Sequence, residues 1–519
     1  MFRILALLLT LVSALPAAVH DFDVVVYGGT AGGVIAAVTA AREGVKTALL
    51  EPTAHIGGMV SGGLSWTDYG KKEVIGGYAL EFYRRVGAWY ELGRHAHRAG
   101  WIAEPHVAEQ IFRDMLRETG VTLFERRRLK EKEGVRKSGV TVAEIFTEDG
   151  DSFRAGVFLD SSYEGDLMAQ AGVSWTWGRE SSAQYGESLG GVREKTPYHQ
   201  FLVNIPAEGP AAKLQPPGSA DRAVQAYNYR MCFSEVPSNQ VAFQKPDGYD
   251  PRRYELLARL IEARTKEEGK TPALGSLIKI DRIPGGKADI NNNGAFSTDY
   301  IGGSWRYPLA GYAERARIWQ EHKGYQAGLF YFLSNDPQLP EPLRREMNRW
   351  GLCKDEFTDT GSWPNQLYIR ESRRMVGEYV VVQKDLQTDR TKPDPIGMGS
   401  YNSDSHNVQR IVDVDGFVRN EGDMQVAVQP YQIPYRVMLP KRAEATNLLV
   451  PVAFSASHVA YSSLRMEPQY MILGQAAGVA AAMAFRGGKA VQAIDGSALG
   501  AALLKQGAVF EYRAGMIPD

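Results

Sequence analysis

Only two cysteines occur among the 519 residues, Cys232 and Cys353. A four-cysteine iron–sulfur cluster therefore cannot be assembled within this chain. One disulfide could form in an oxidising compartment, although sequence does not say whether the two residues meet. An excess of either charge is also missing, with 59 Lys and Arg against 60 Asp and Glu. Without a basic footprint, nucleic acid is excluded as an expected partner. Beyond the N-terminus no segment reaches the roughly 18 apolar residues of a membrane span, so no transmembrane anchor is expected in a mature chain. The nine histidines are scattered, and His95 and His97 at i, i+2 would diverge on a helix. No metal set stands out. The G-x-S-x-G elbow of a serine hydrolase and the P-loop are absent too.

The start of the chain, "MFRILALLLTLVSALPAAVHDFD", reads as a secretory signal over residues 1–20. Arg3 supplies the positive end, and Ile4 to Val12 form an apolar stretch too short to span a bilayer. A mature chain beginning between Leu15 and Val19, secreted or periplasmic, is the expectation.

After the signal comes a nucleotide cradle with one part changed. Asp23 to Val26 is an apolar β-rich run entering "YGGTAGG"; "GVIAAVTAAREG" is an alanine-rich helix ending at Gly44; "KTALLE" is the next strand. In the G-x-G-x-x-G fingerprint Gly28 and Gly33 hold the outer positions, and Thr30 replaces the middle glycine. A threonine hydroxyl can itself donate to a phosphate, and Gly29, Ala31 and Gly32 leave the helix N-terminus open to an anion. Glu51 ends the second strand, where an acidic side chain accepts from ribose hydroxyls. "EPHVAEQIFRDMLRETG" (104–120) reads as an amphipathic helix, "VTLFERRRL" as a strand, and "TVAEIFTEDGDSFRAGVFLDSS" as two strands joined at Asp149–Gly150.

From about 195 to 400 the βα rhythm is lost, and two helices, 250–269 and 312–334, stand among Pro, Gly, Asn and aromatic residues. From about 430, "NLLVPVAF" and "QYMILGQAAGVAAAMAF" return to the first style. The predicted fold is α/β: a Rossmann-like dinucleotide-binding domain from segments 21–194 and 401–519, with an inserted α+β substrate domain at 195–400.

The second glycine cluster, "HIGGMVSGG", favours a flavin over a nicotinamide. With "VVVYGGTAGGVIAA", "DSSYEGDLMAQAGVSWTWGRESSAQYGESLGG", "NNNGAFSTDYIGG", "QLYIRESRRMVGEY", "GSYNSDSHNVQR" and "NLLVPVAFSASHVAYSSLRMEPQYMILGQAAGVAAA", the chain resembles the FAD-dependent oxidoreductase family. That family groups with the fumarate reductase flavoprotein and the flavin subunit of heterodisulfide reductase, and some relatives carry a xanthan lyase label. The iron–sulfur clusters of the heterodisulfide branch are not implied, because the cysteines are missing. The resemblance implies FAD, with pyrophosphate on Gly28 to Gly33 and the adenosine ribose on Glu51. It places His55, Gly57, Gly58 and Met59 near the ribityl chain and ring, and a strand ending at Leu129 beside adenine. Asp160 and the turn Tyr163–Asp166, with Gly165, would close over the pyrophosphate. Gly474, Gln475 and Ala476 would face the cofactor.

For chemistry beside the flavin, Asp404 and His406 share a face if extended, and His406 is the candidate base; the plainer alternative is a loop histidine satisfied by Asp404. His458 is a second acid/base candidate, or a hydrogen-bond partner of the flavin. Arg370, Arg373 and Arg374 stand at helical spacing beside Glu371, either clamping a substrate carboxylate or forming a buried ion-pair network. Asn291 to Asn293 could meet sugar hydroxyls or form a turn. The implied function is an exported flavoenzyme oxidising a sugar, polyol or sugar acid, with electrons leaving to a quinone, a cytochrome or oxygen. The alternatives are a redox-neutral lyase or isomerase and a non-catalytic FAD-containing binding protein.

Overall fold

The computed structural model describes residues 17–92, 98–193, 198–207 and 215–516. The apolar stretch Ile4 to Val12, and His95 and His97, lie outside these residues. β1 (Val19–Tyr27), α1 (Ala31–Arg42) and β2 (Thr47–Glu51) form the βαβ unit, with β1 and β2 parallel. Every residue of β2 is buried, as a central parallel strand covered on both faces requires. α2 (Gly77–Trp89) and α3 (Pro105–Thr119) come next. Pro105 opens α3, and Gly120, with φ at 72°, closes it in the left-handed conformation that ends a helix cheaply only at glycine.

β3 (Thr122–Glu125) pairs in parallel with β2 and stops four residues before Leu129. β4 (Val135–Ser138) and β5 (Thr141–Phe146) form a hairpin, and a second one at Asp149–Gly150 leads into β6 (Ser152–Asp160), which runs parallel to β1. The seven-stranded sheet has the order β3-β2-β1-β6-β5-β4, and the C-terminal strand Leu448–Leu449 pairs in parallel with β6. One sheet is thus assembled from both ends of the chain, a Rossmann-like α/β fold.

The long helix of the C-terminal segment, Glu467–Gly487 and hereafter the C-terminal helix, packs along α1; a shorter helix, Gly496–Lys505, follows it. Its glycines explain how closely. A Cβ on Gly474 would lie 2.1 Å from the Gly32 carbonyl, and one on Gly478 would lie 2.6 Å from the Ala36 carbonyl. The small residues of "GQAAGVAAA" therefore serve helix–helix contact. Gly474 faces α1, Gln475 accepts from the Tyr78 amide at 2.9 Å, and Ala476 sits in the core. Each of the three is thus engaged within the protein.

Within the intervening region a five-stranded antiparallel sheet joins Met231–Ser234, Gln240–Val241, Ile278–Ile283, Lys287–Asn292 and Gly351–Cys353. The 24-residue helix Tyr312–Asn335, the cover helix, reaches from it over the Rossmann-like part. One apolar core contains residues of both parts, from Val34 and Leu473 to Ile290 and Phe332. Among the described residues no helix is long and apolar enough to cross a membrane.

Candidate active site

A cavity of about 300 Å³ opens where β1, β2 and the start of α1 meet the cover helix. Gly28 sits at its floor with φ at 98°, and a Cβ there would be 2.6 Å from the Ser162 amide, so the chain approaches closely only because the residue is glycine. Glu51 accepts from the Gly29 amide at 2.8 Å and from the Thr53 amide and hydroxyl, both at 2.7 Å. Burial pushes its carboxyl up to about 7. Ala31 begins α1, fully buried beneath this turn.

Thr30 does something other than wait for phosphate. It is the N-cap of α1, accepting from the Gly33 amide at 3.1 Å and donating to the Ser161 carbonyl at 2.8 Å. The hydroxyl is thereby committed to the turn. Glycine at an N-cap costs only a few tenths of a kcal/mol, and the lost bond to Ser161 about 1 more. Thr30→Gly is therefore expected to keep its flavin with a slightly lower melting temperature, read from flavin absorbance per chain and thermal unfolding. Loss of flavin would show that the side chain matters to the cofactor directly.

Tyr163 closes the cavity from the other side. Its hydroxyl accepts from the Met59 amide at 2.9 Å and donates to Glu467 at 2.7 Å. Gly58 passes beneath it at φ 54°, and Gly57 turns at φ 98°. Asp160 is fully buried and holds the turn, accepting from the Ser162 amide (3.1 Å) and hydroxyl (2.7 Å) and the Met168 amide (2.8 Å); burial raises it to about 6. The Gly165 amide donates to Ser162. Asp166 grips Arg315 of the cover helix (2.6 and 3.0 Å) and Arg373 (2.6 Å). It anchors the cover, and Arg315 brings a guanidinium to the cavity wall that sequence reasoning missed.

Leu129 and His55 both have partners within the protein. Leu129 is buried in a separate apolar cluster, with its amide donating to the Tyr27 hydroxyl and its carbonyl accepting from Tyr312. The His55 ring turns away to Glu109 (3.1 Å) and Asp359 (3.0 Å), and the former hydrogen bond raises its pKa.

The first turn of the C-terminal helix lies between this cavity and the candidate chemistry. Glu467 reaches Tyr163, while Arg465, two residues earlier, donates to the Asp404 carbonyl (2.7 Å) and the Tyr368 hydroxyl (3.1 Å). The helix N-cap, Met466, supplies no side-chain cap, so its first amides remain available to a negative group. Burial pushes Glu467 up to about 8. Both polar atoms of the Gln469 amide are buried without a partner, as are Glu467 Oε2 and Ser161 Oγ. Buried polar atoms in native proteins are nearly always satisfied. Donors and acceptors left open here, next to a glycine-floored cradle, fit a bound dinucleotide.

Beyond Arg465 stands His406. Its Nδ1 is 2.7 Å from Asp299 Oδ2, and its Nε2 is 3.9 Å from Asp404 Oδ1. The partner expected from sequence was Asp404; the observed one is Asp299, which sits in a segment that offers no spacing signal. Burial opposes ionisation of Asp299, but Arg370 and His406 hold it down to about 2. Burial and then Arg370 push His406 down to about 4. A neutral ring beside an ionised Asp299 must carry its proton on Nδ1, which leaves the Nε2 lone pair free. Asp423, buried near Asp404 and Asp299, is raised to about 8 by burial and by those two carboxylates.

"RESRR" is not helical, and its arginines diverge. Arg370 donates to the Ala226 carbonyl (2.6 Å) and Asn228 (2.9 Å) and stands 3.2 Å from Asp299. Arg373 holds Asp166, whereas Arg374 opens a two-residue strand and pairs with Glu371 and Glu180. Only Arg370 belongs to the His406 cluster, with Asn291 3.5 Å away. Each guanidinium has its own buried acceptors, which outweigh helical spacing. His458 is part of the Arg374 network, its Nδ1 2.8 Å from Glu371, and burial followed by Arg374 pushes it down to about 3. Gln225 links the networks, accepting from the His406 amide (3.1 Å) and donating to Glu371 (3.0 Å).

Among the described residues Glu104, His106 and Glu356 bring ligand atoms within 4.8 Å of one another. Lys287 already supplies the positive charge there, 2.7 Å from both Glu104 and Glu356.

A mixed sheet with a parallel centre, a glycine cradle and an acidic residue at the end of β2 define a dinucleotide-binding α/β protein. Residues 23–503 match the sequence model of the FAD dependent oxidoreductase family, and the chain belongs to that family. It is an FAD-dependent oxidoreductase. No curated protein matches it. Among solved structures, it is similar to a geranylgeranyl bacteriochlorophyll reductase-like protein from Thermoplasma acidophilum at 12% identity, covering 95% of this chain and 85% of that one, with a TM-score of 0.37. A second similarity is to anhydrotetracycline hydroxylase from Streptomyces rimosus, at 14% identity over 35% of this chain and 41% of that one, with a TM-score of 0.24. A flavin monooxygenase from Stenotrophomonas maltophilia and a thioredoxin reductase from T. acidophilum are likewise matched over only 38% and 35% of their own lengths.

Proposed function

We propose that this oxidoreductase is exported and oxidises a small hydroxylated substrate, a sugar, polyol or sugar acid, at the His406 cluster. The observation that carries the reading is the Asp299–His406 pair, an oriented neutral imidazole with one nitrogen free. Bound FAD supplies the two-electron acceptor. Gly28 to Gly33, Glu51 and Tyr163 would hold its dinucleotide part, and the first turn of the C-terminal helix its ring. Oxidising an alcohol carbon to a carbonyl requires loss of the hydroxyl proton together with hydride. His406 Nε2 takes that proton, and Asp299 stabilises the resulting imidazolium through Nδ1–H. Arg370 keeps Asp299 ionised, which fixes the tautomer. Asp404, beyond Nε2, orients the substrate hydroxyl or a bridging water.

Electrons then leave to a quinone, a cytochrome or oxygen, since nicotinamide is scarce outside the cytoplasm. Kinship with the fumarate reductase flavoprotein and the heterodisulfide reductase flavin subunit is part of the same proposal and rests on the shared sequence runs. Export rests on Arg3 and the apolar stretch after it. N-terminal sequencing of protein made in its own cell should find a chain starting between Leu15 and Val19, outside the cytoplasm. Intact Met1 on a cytoplasmic pool would refute export and reopen nicotinamide as the electron partner. The assignment of the base is tested by the kinetics of flavin reduction in His406→Ala.

A further inference from the structure

The two cysteines, distant in sequence, meet in the five-stranded sheet. Cys232 lies on Met231–Ser234, and Cys353 ends the neighbouring antiparallel strand Gly351–Cys353. The pairs Gly351↔Ser234 and Leu352↔Phe233 set a register that puts Cys353 opposite Cys232. Their sulfurs stand 2.7 Å apart, and each residue is 1% exposed. Apolar Ile102, Ile283 and Phe357 surround them, so neither thiol reaches the His406 cluster or the cofactor cavity.

Opposed residues on antiparallel strands hold their Cβ atoms about 4.5–5.5 Å apart, close to the roughly 3.5–4.5 Å that a disulfide spans. We propose that Cys232 and Cys353 form a redox modification site, closing to a cross-strand disulfide that clamps the chain segment leading into the candidate active site. That segment, residues 354–370, begins at Cys353. It carries Gln366 at the cofactor cavity, Tyr368 against Arg465, and Arg370 beside Asp299. Its root is a strand of only three residues, with few ladder bonds to hold it.

The chemistry balances simply. Each thiol gives up one proton and one electron, the Sγ–Sγ bond forms, and an oxidant of the disulfide class accepts both electrons as its own S–S bond opens to two thiols. The bond would close a loop across a sequence separation of 121, a long stretch of unfolded chain to restrict. Burial pushes the Cys232 thiol well up. Because the thiolate is the reactive form, exchange on the folded protein is slow and calls for a small, neutral oxidant.

The test uses full-length, FAD-loaded protein treated with diamide, a neutral diazene that removes two hydrogens from a thiol pair. The protein is then denatured and its cysteines are labelled with a maleimide. Labelling should fall from both cysteines to neither, with no interchain dimer and with a peptide joining 232 to 353; dithiothreitol should restore both. Oxidation should raise the melting temperature by about 3 to 5 °C, the usual worth of a long-loop disulfide in a chain of this size. Hydrogen exchange across 354–370 should slow. A Cys232→Ser, Cys353→Ser double variant should show neither response. Both cysteines still labelled after prolonged treatment, repeated in urea below the unfolding transition where access is not limiting, would overturn the site. So would interchain dimers in place of the internal bond, and unchanged exchange across 354–370 would overturn the clamp.

Discussion

Gly33→Val is expected to yield protein that carries no flavin. A Cβ at position 33 would stand 1.9 Å from the Gly28 carbonyl and 3.0 Å from the Ser161 side chain, before the branched methyls are considered. Backbone atoms cannot move aside as a flexible side chain can, so α1 must shift away from β1. That shift opens the cradle turn and breaks the Thr30–Gly33 cap. It also disturbs the Gly32–Gly474 contact on the opposite face of α1. Overpacking of this kind costs on the order of 3 kcal/mol or more when backbone is the obstacle. The expected protein is colourless or sparsely expressed and cannot be reconstituted with FAD, as visible absorbance and released flavin would show. Normal flavin content in Gly33→Val would mean that the cofactor does not depend on this turn.

His406→Ala is expected to leave flavin content unchanged and to slow flavin reduction by substrate about 10² to 10⁴-fold, the usual worth of a positioned general base. Reduction should be followed by rapid anaerobic mixing. The pH profile adds a second signature. As the proposed base, His406 would act only as the neutral ring, and burial with Arg370 holds its pKa down to about 4. The wild-type rate should therefore stay level as pH falls through 6.5, where an ordinary histidine would gain its proton, and drop only on approaching 4. Asp299→Asn removes the charge that fixes the Nδ1–H tautomer and should slow reduction as well. His458→Ala should instead act through the Glu371–Arg374 network, lowering stability more than rate. A His406→Ala protein reduced as fast as wild type would remove this residue from the mechanism.

The parts of the fold legible in the sequence were those set by local rules. "VVVYGG", "KTALLE", Pro105 with Gly120, and Asp149–Gly150 each carry their own geometric instruction, and each forms the expected element. Partners distant in the chain were not legible. Spacing cannot show that the Arg370 and Arg374 guanidinium groups have separate buried acceptors, so "RESRR" reads as a helix when it is irregular chain leading into a short strand. Thr30 and Gly474 illustrate a second limit. A hydroxyl at a helix start suits a phosphate or a cap, and a glycine in a helix suits a cofactor or a neighbouring helix; only the packing chooses. Asp299 meets His406 across 107 residues, and nothing local to "FSTDY" announces an acceptor. Sequence proximity points instead to Asp404, two residues away in the chain.

On the proposed function, this chain oxidises a hydroxylated substrate with bound FAD. Purified protein should be yellow. Mixed anaerobically with a panel of sugars, polyols and sugar acids, it should lose its absorbance near 450 nm (roughly the usual oxidised flavin band) with at least one of them, and regain it when a quinone, a cytochrome or oxygen is admitted. Turnover of a substrate with the flavin band unchanged would contradict oxidation and point to redox-neutral lyase or isomerase chemistry. Binding of such compounds with neither bleaching nor turnover would contradict catalysis altogether.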